Sequence, residues 1–509
     1  MIKGMVINQR KAGAVLNYII IVLNAAVGLL YTPYMLRMMG QSEYGLYSLV
    51  ASVIGYLTIL DFGFGNAIIR YTSRYRATNE IRKQYSLFGM FLVLYSVIGI
   101  LAAAAGVVLY LNTETLFGAT MTATEIGKAK IMMLILTFNL AITFPFSIFG
   151  SIITAYEDFI FQKIIQICRI LLNTVVMIVL LHYGYKAIAM VIVQTVFNLA
   201  TLVINLFYCK YKIRIRFIFE KFDWTLLKEI AVYSFWIFLN AIMDKVYWST
   251  GQFVLGAVSG TIAVSIFAVG IHFQSMYMTF STAISSVFLP RVSMMVAKGS
   301  SRKEISDLFV RTGRIQFLIM SLILCGFIVF GKPFMTFWAG PGYDDSYIIT
   351  LMFFVSLFVP LIQNMGITIL QARNEMKFRS LLYIVIAAFS LVGQIVLSKL
   401  FGAVGCAVSI AAALVIGQGI VMNVYYQKRQ DIDIKGFWWQ IMKMSIAPAI
   451  ITAFSYILLR RIQVSSIMVL LLLMAVFAVL FVAGLWLFSM SNYEKSLVKE
   501  PIMKILLRK

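Results

Sequence analysis

The sequence predicts an all-α polytopic membrane protein with about 14 transmembrane helices, arranged as two parallel six-helix repeats around a central cavity plus two C-terminal helices. Three observations lead to this fold class: the composition, the length of the apolar runs, and an internal repeat. Of the 509 residues, 61% are hydrophobic and 12% are charged, whereas soluble domains carry about 25% charged residues. The apolar runs exceed the ~18 residues that span a bilayer and lack the two-residue alternation of a β-barrel, so they predict helices.

The predicted spans follow one another without a long polar stretch, which leaves no segment for a soluble domain. They lie at 14–36, 48–69, 86–111, 130–154, 160–181, 186–208, 229–257, 262–289, 314–338, 347–371, 380–398, 403–426, 443–459 and 466–489.

The net charge of +23 predicts membrane topology rather than nucleic-acid binding, because the basic residues lie in short clusters between the apolar runs. With a cytoplasmic N-terminus, only eight of the 43 Lys and Arg residues fall on the outer side: Arg37, Lys128, Lys130, Lys186, Lys332, Lys399, Arg460 and Arg461. Two more, Arg169 and Lys245, lie within spans, and the others adjoin cytoplasmic segments. This asymmetry predicts that both termini are cytoplasmic.

Segments nearly half a chain apart match one another at an almost constant spacing along the sequence. The matched pairs are Gly40 with Gly260, 155–161 with 372–378, 184–189 with 402–407, and Tyr208 with Tyr425. Each copy holds six spans, an even number, so both copies enter the membrane in the same direction. The repeat predicts an N-terminal lobe at 1–215 and a C-terminal lobe at 216–430. Two additional transmembrane helices and a cytoplasmic tail occupy 431–509.

Motifs in both copies resemble a known family of exporters. The segments are Gly40–Tyr47 (GQSEYGLY), Asp61–Tyr71 (DFGFGNAIIRY) and the pair Leu289-Pro290. They are similar to motifs of the O-antigen, capsule and exopolysaccharide flippases in the multidrug/oligosaccharidyl-lipid/polysaccharide exporter superfamily. The resemblance implies a bacterial cytoplasmic (inner) membrane protein that flips polyprenyl-diphosphate-linked oligosaccharide repeat units. It also implies a polysaccharide polymerase as a candidate partner, besides the membrane lipids.

Ionisable side chains inside a membrane mark candidate sites, because each costs roughly 2.5–3.5 kcal/mol at a helix centre. We expect Lys245 and Arg169 to bind the diphosphate or an acidic sugar, with Asn240 and Gln252 binding sugar hydroxyls. Structural alternatives remain open for each of them. Lys245 could form an interhelical salt bridge, Arg169 could snorkel to the interface, and the amides could tie helices together.

Three further residues are candidates for ion coupling or gating: Asp61, Asp244 and His272. Asp61 precedes Gly63 and Gly65, where a helix could bend or pack closely, and could form a salt-bridge gate with Lys245. The alternatives are a polar anchor at a helix bend for Asp61, a salt bridge for Asp244 and a hydrogen-bonded packing residue for His272. The coupling ion would be H⁺ or Na⁺.

The sequence lacks a phosphate-binding Gly-x-x-x-x-Gly-Lys motif and acidic or histidine clusters with catalytic or metal-ligand spacing, so we predict neither an enzyme nor a cofactor. Transport energy would then come from an ion gradient, the membrane potential or removal of the product. Two alternative functions remain, a multidrug or cation antiporter of the same superfamily and a peptidoglycan-precursor lipid flippase. The first is disfavoured because two intramembrane cations match the two intramembrane carboxylates.

Overall fold

The computed structural model describes residues 9–220, 223–462 and 464–506, and these residues are almost entirely helical, with no strand among them. The helices are α1 (Gln9–Met39), α2 (Gln41–Leu57), α3 (Phe64–Ala77), α4 (Ile81–Leu111), α5 (Thr113–Phe117), α6 (Ala123–Ala155), α7 (Phe159–His182), α8 (Ala187–Tyr208), α9 (Trp224–Trp248), α10 (Thr250–Val258), α11 (Gly260–Ala297), α12 (Arg302–Trp338), α13 (Asp344–Ile362), α14 (Met365–Ala372), α15 (Lys377–Leu414), α16 (Met422–Arg429), α17 (Ile434–Leu459), α18 (Ile467–Gly484) and α19 (Asn492–Leu506). A 3₁₀ turn at Thr58–Asp61 and π-helical turns at Cys209–Ile213, Val415–Val421 and Leu485–Ser489 join some of them.

Within the described residues, 12 helical stretches are long and apolar enough to cross a membrane. The difference from the predicted number has two sources. The stretch Lys377–Arg429 covers two predicted spans and is interrupted at Gly402, whose φ of 56° and ψ of −138° are not helical. The seventh predicted span is divided into α9 and α10 at Ser249. The all-α membrane class is therefore confirmed, and the number fourteen stays a prediction.

The chain forms two compact units, Met1–Ala268 and Val269–Lys509. In the first unit, aromatic residues of α3, α4 and α6 form the centre of the core; Phe64, Phe91, Tyr95 and Phe144 belong to it. In the second unit, the additional helix α18 packs on α12 through Phe477 and Phe330, whose ring centroids lie 5.5 Å apart.

The internal repeat is visible in the tertiary structure of each unit. Phe161 stacks on Tyr208 with a centroid distance of 3.6 Å, and Phe378 stacks on Tyr425 at 4.1 Å. Residues with positive φ also recur at the predicted spacing: Gly40 with Gly260, Asn79 with Gly299, Glu157 with Asn374, Gly184 with Gly402, and Arg214 with Asp431. Chain turns are thus placed at equivalent points in both copies.

Candidate transport site in the N-terminal unit

The second span is broken near its middle. Helix α2 ends at Leu57, a 3₁₀ turn follows, and Phe62 and Gly63 take the left-handed conformation with φ of 51° and 73° before α3 begins. A positive φ is uncommon for a bulky residue such as Phe62. Interrupted spans expose backbone polar groups at membrane depth, which transporters use to bind substrates and ions.

Asp61 lies at this break, as the motif led us to expect. Its carboxylate is half-buried and accepts a hydrogen bond from the Tyr95 hydroxyl on α4, at 2.8 Å. Gly65 packs closely, because a methyl group built on it would lie 3.4 Å from the Ser151 hydroxyl oxygen. The carboxylate therefore anchors the bend, and its role in ion coupling stays a prediction.

The seventh span lies beside this break and is divided at Ser249 into α9 and α10, with helical hydrogen bonds continuing across the division. The carbonyl of Lys245 accepts hydrogen bonds from the Ser249 amide at 2.8 Å and from the hydroxyl of Tyr56, on α2, at 3.3 Å. The Tyr56 hydroxyl also hydrogen-bonds Thr250. Phe62 contacts Phe238 of α9, with ring centroids 4.6 Å apart. The two spans therefore pack against each other within the first unit.

Lys245 and Asp244 point in different directions from the end of α9, as the 100° step of a helix requires. Lys245 is half-buried, and its ammonium nitrogen lies 3.4 Å from the position of a methyl group built on Gly55. Glycine at position 55 leaves room for the ammonium against α2. Asp244 is exposed. Among the described residues, no ion pair joins Asp61 to Lys245, so the salt-bridge gate stays a prediction.

The remaining candidates lie at other places. Asn240 and Gln252 are half-buried on the same span as Lys245. Arg169, on α7, is exposed and donates from Nη1 to Asn198 Oδ1 of α8 at 3.4 Å. His272 belongs to the second unit, where its ring stacks on Trp338 with a centroid distance of 5.9 Å. The aromatic contact suits a packing residue, and a coupling role for His272 stays a prediction.

Sequence reasoning missed a hydrogen-bonded cluster at the predicted outer end of the first unit. Glu125 Oε1 accepts from the hydroxyls of Ser42 at 2.5 Å and Thr261 at 2.8 Å. These contacts join the starts of α2, α6 and α11. The backbones of α2 and α11 approach so closely that a methyl group on Gly45 would lie 1.9 Å from the Thr261 carbonyl oxygen. The Thr122–Glu125 capping box, the Gly40–Tyr47 motif and the match of Gly40 with Gly260 were the sequence signals, but none of them connects Glu125 to Ser42 or Thr261.

Comparison with known proteins decides the family. The sequence model of the family described as "Polysaccharide biosynthesis protein" matches residues 11–296, more than half of the chain. This chain belongs to that family. A relative in Shigella flexneri, named "Putative O-antigen transporter", is 19% identical over 404 residues, which cover 77% of this chain and 92% of the relative.

Solved structures share the fold. A lipid II flippase, MurJ, in an inward closed conformation superposes with a TM-score of 0.70 at 16% identity, covering 92% of this chain and 98% of that protein. An inward-facing multidrug resistance transporter of the MATE family, in the MOP superfamily, superposes with a TM-score of 0.59 at 14% identity, covering 81% and 99%. The predicted family resemblance is confirmed by the family model, and the chain shares the fold of these transporters.

Proposed function

We propose that this protein flips polyprenyl-diphosphate-linked oligosaccharide repeat units from the cytoplasmic to the outer leaflet of the bacterial inner membrane by alternating access. The observation that carries the proposal is Lys245, a half-buried cation without an ion pair among the described residues, placed where the seventh span packs beside the broken second span. A buried ion is costly unless it is paired. Asp244 acts on this cation electrostatically without forming an ion pair with it, and a diphosphate entering beside Lys245 would supply a direct partner.

Asp61 is the candidate for ion coupling. Its carboxylate lies just before the first turn of α3, where helix N-termini favour negative charge, and it accepts a hydrogen bond from the Tyr95 hydroxyl. Binding of H⁺ or Na⁺ would change the charge at the hinge of the second span. An ion gradient would thereby bias the span between two conformations.

The fold alone does not choose the substrate, because a lipid II flippase and a multidrug transporter share it. The family description and the Shigella flexneri relative support a polysaccharide precursor. A cation beside the break disfavours cationic drugs through charge repulsion. The proposal includes both termini on the cytoplasmic side and a polysaccharide polymerase that uses the flipped repeat unit.

The decisive measurement is transbilayer movement of a fluorescent polyprenyl-diphosphate oligosaccharide in proteoliposomes. We expect the wild type to move it and Lys245→Ala to slow it at least tenfold, with partial recovery in Lys245→Arg. Lys443→Ala is the matched control, because Lys443 belongs to the second unit, where it lies over the Trp439 ring of α17. Absence of movement by the wild type, or full activity of Lys245→Ala, contradicts the proposal. Preferential movement of lipid II by the wild type would instead indicate the peptidoglycan alternative.

A further inference from the structure

One face of α7 is polar through three turns of the helix. Gln162, Gln166, Arg169 and Asn173 follow one another at steps of four, three and four residues, which places them within about 60° of one another. Exposed apolar side chains lie on the other side of α7, with Leu171, Val175 and Ile178 about 180° from this stripe. Helix α7 therefore presents an apolar face to lipid and a polar face in the opposite direction.

Helix α8 repeats the same spacing with Gln194, Asn198, Thr201 and Asn205. The two stripes meet at Asn198, whose Oδ1 accepts from Arg169 at 3.4 Å. The Asn198 amide nitrogen then donates to Asn139 Oδ1 and to the Thr143 hydroxyl of α6, each at 2.8 Å. Three helices thus contribute to one polar network.

The network continues toward the predicted cytoplasmic end. Gln162 donates to the Gly150 carbonyl at 2.6 Å and accepts from the Thr154 hydroxyl at 2.9 Å. The polar surface on α7 therefore extends over about 16 Å, from Gln162 to Asn173. Its side chains are half-buried or exposed, so they line a surface rather than a core. A surface that carries Arg169 at membrane depth faces water rather than hydrocarbon, because a lipid-facing arginine is too costly.

The second copy provides an internal control, because the same helices pack there with a different set of side chains. At the spacing that joins Tyr208 to Tyr425, Arg169 corresponds to Ile386 and Asn198 to Val415. Asn173 corresponds to Ser390, which is buried and accepts from Gln394. Helix packing in this architecture therefore does not require the central arginine and asparagine. A binding role accounts for their presence in the first copy.

We propose that this surface on α6, α7 and α8, the polar groove, binds the saccharide part of the substrate. This inference rests on the proposed flippase function and adds a site for the glycan. Amide side chains both donate and accept hydrogen bonds, which matches the dual character of sugar hydroxyls. Arg169 would additionally hold an acidic group of the sugar or the diphosphate, since its fork suits carboxylate and phosphate oxygens.

Substitution of Asn173 provides the most specific test of glycan binding in the polar groove. Its Oδ1 atom is buried and has no hydrogen-bond partner in the described part of the chain. A buried acceptor without a partner is costly, and a sugar hydroxyl would satisfy it. Because the oxygen contributes no hydrogen bond to the free protein, Asn173→Ala should leave thermal stability unchanged while weakening glycan binding.

The experiment measures equilibrium binding of the labelled, carrier-free oligosaccharide repeat unit to the full-length protein in nanodiscs, together with flipping of polyprenyl diphosphate with and without the oligosaccharide. We expect Asn173→Ala to weaken oligosaccharide binding about three- to tenfold, the effect of one hydrogen bond. Asn198→Leu should weaken it further. Flipping of the bare polyprenyl diphosphate should stay within about twofold of wild type in Asn173→Ala.

Gln394→Ala is the matched control, because it removes a buried amide from the same region of the second copy. We expect it to lower thermal stability and to leave oligosaccharide affinity unchanged. If Asn173→Ala and Asn198→Leu both bind the oligosaccharide with wild-type affinity, the proposed role of the polar groove is wrong. A different result would separate the two proposals. If the wild type binds the oligosaccharide saturably and both variants lose this binding, but the wild type flips nothing, the groove is supported and the flippase function is wrong.

Discussion

The second span of the first copy and the corresponding helix of the second copy start from the same turn and then differ. Gly40 and Gly260 both have a φ of 80°. From Gly40 the chain forms α2, a 3₁₀ turn and α3, whereas from Gly260 it forms α11, one helix of 38 residues. At the spacing that joins these two glycines, Asp61 corresponds to Ser281. Ser281 is buried, donates to the Leu361 carbonyl at 2.8 Å and accepts from Asn364 at 3.1 Å.

The comparison shows which features of this position helix packing requires. A neutral hydroxyl inside a continuous helix is sufficient to anchor this position in the second copy. The carboxylate and the break in the first copy therefore add cost without a packing requirement. The polar groove follows the same division, because Arg169 and Asn198 of the first copy correspond to apolar residues in the second.

The second unit has its own distinctive charge, at a position where the first copy is apolar. Arg314 of α12 corresponds to Leu94 of α4 at the spacing that joins Gly40 to Gly260. Its guanidinium donates to both carboxylate oxygens of Glu494, at 2.5 and 2.9 Å, and to Gln440 of α17 at 3.2 Å. The pair is buried, with 15% and 3% of the side chains exposed. It therefore fastens the additional C-terminal helices to α12.

The largest expected effect is on this buried pair. Arg314→Ala leaves the Glu494 carboxylate buried without its main partner, which should destabilise the second unit by about 3–5 kcal/mol. Thermal unfolding in detergent measures the loss, and Leu94→Ala in the first copy is the comparison at the equivalent position. If Arg314→Ala unfolds within about 1 kcal/mol of wild type, the additional helices are held by apolar packing instead.

The same pair predicts a pH dependence with a defined sign. Burial raises the pKa of the Glu494 carboxyl, but hydrogen bonds from Arg314 and the Ser491 amide outweigh it and hold the pKa below the ordinary value. Stability from this group is therefore present above the unfolded-state pKa of about 4.3 and is lost as the pH falls through the lower folded-state pKa. Glu494→Gln should remove this acid-side loss, as thermal scans between about pH 3 and pH 7 would reveal.

The next effect is on transport and tests the two second spans directly. Asp61→Asn keeps the shape and a hydrogen-bond acceptor for Tyr95, but it removes the charge. We expect flipping driven by an imposed ion gradient to fall at least tenfold, while downhill exchange without a gradient falls less. Ser281→Ala should change neither rate by more than about twofold. Equal losses in the driven and undriven assays would assign Asp61 to the structure of the bend rather than to coupling.

The spans and the repeat could be predicted because the bilayer fixes the length of apolar runs and the repeat fixes their spacing. The position of Asp61 at a bend was also predictable, since Gly63 follows it closely. The contacts of Arg314 were not, because Glu494 lies 180 residues away and nothing in the local pattern connects them. Asn198 was missed, although its helical spacing with Gln194 and Asn205 can be recognised in the sequence. A polar stripe on one helix does not indicate which neighbouring helix it faces.

A smaller effect tests the equivalence of the two copies. Phe161 and Phe378 stack on Tyr208 and Tyr425 in the same geometry. Replacing either phenylalanine by leucine keeps most of the apolar area and removes the ring pair, which contributes about 0.5–1.5 kcal/mol. We expect losses of similar size in Phe161→Leu and Phe378→Leu, measured by thermal unfolding. Losses that differ by more than twofold would mean that only the backbone geometry is shared.

The smallest effect is expected at an ion pair of the first unit that contrasts with Arg314 and Glu494. Arg82 Nε donates to Glu220 at 2.8 Å, but 82% of the arginine side chain and 37% of the glutamate side chain are exposed. Water screens such a pair, so Arg82→Gln should lower the free energy of unfolding by less than about 1 kcal/mol, and less still at high salt. A loss comparable to that of Arg314→Ala would show that burial does not govern the strength of the two pairs.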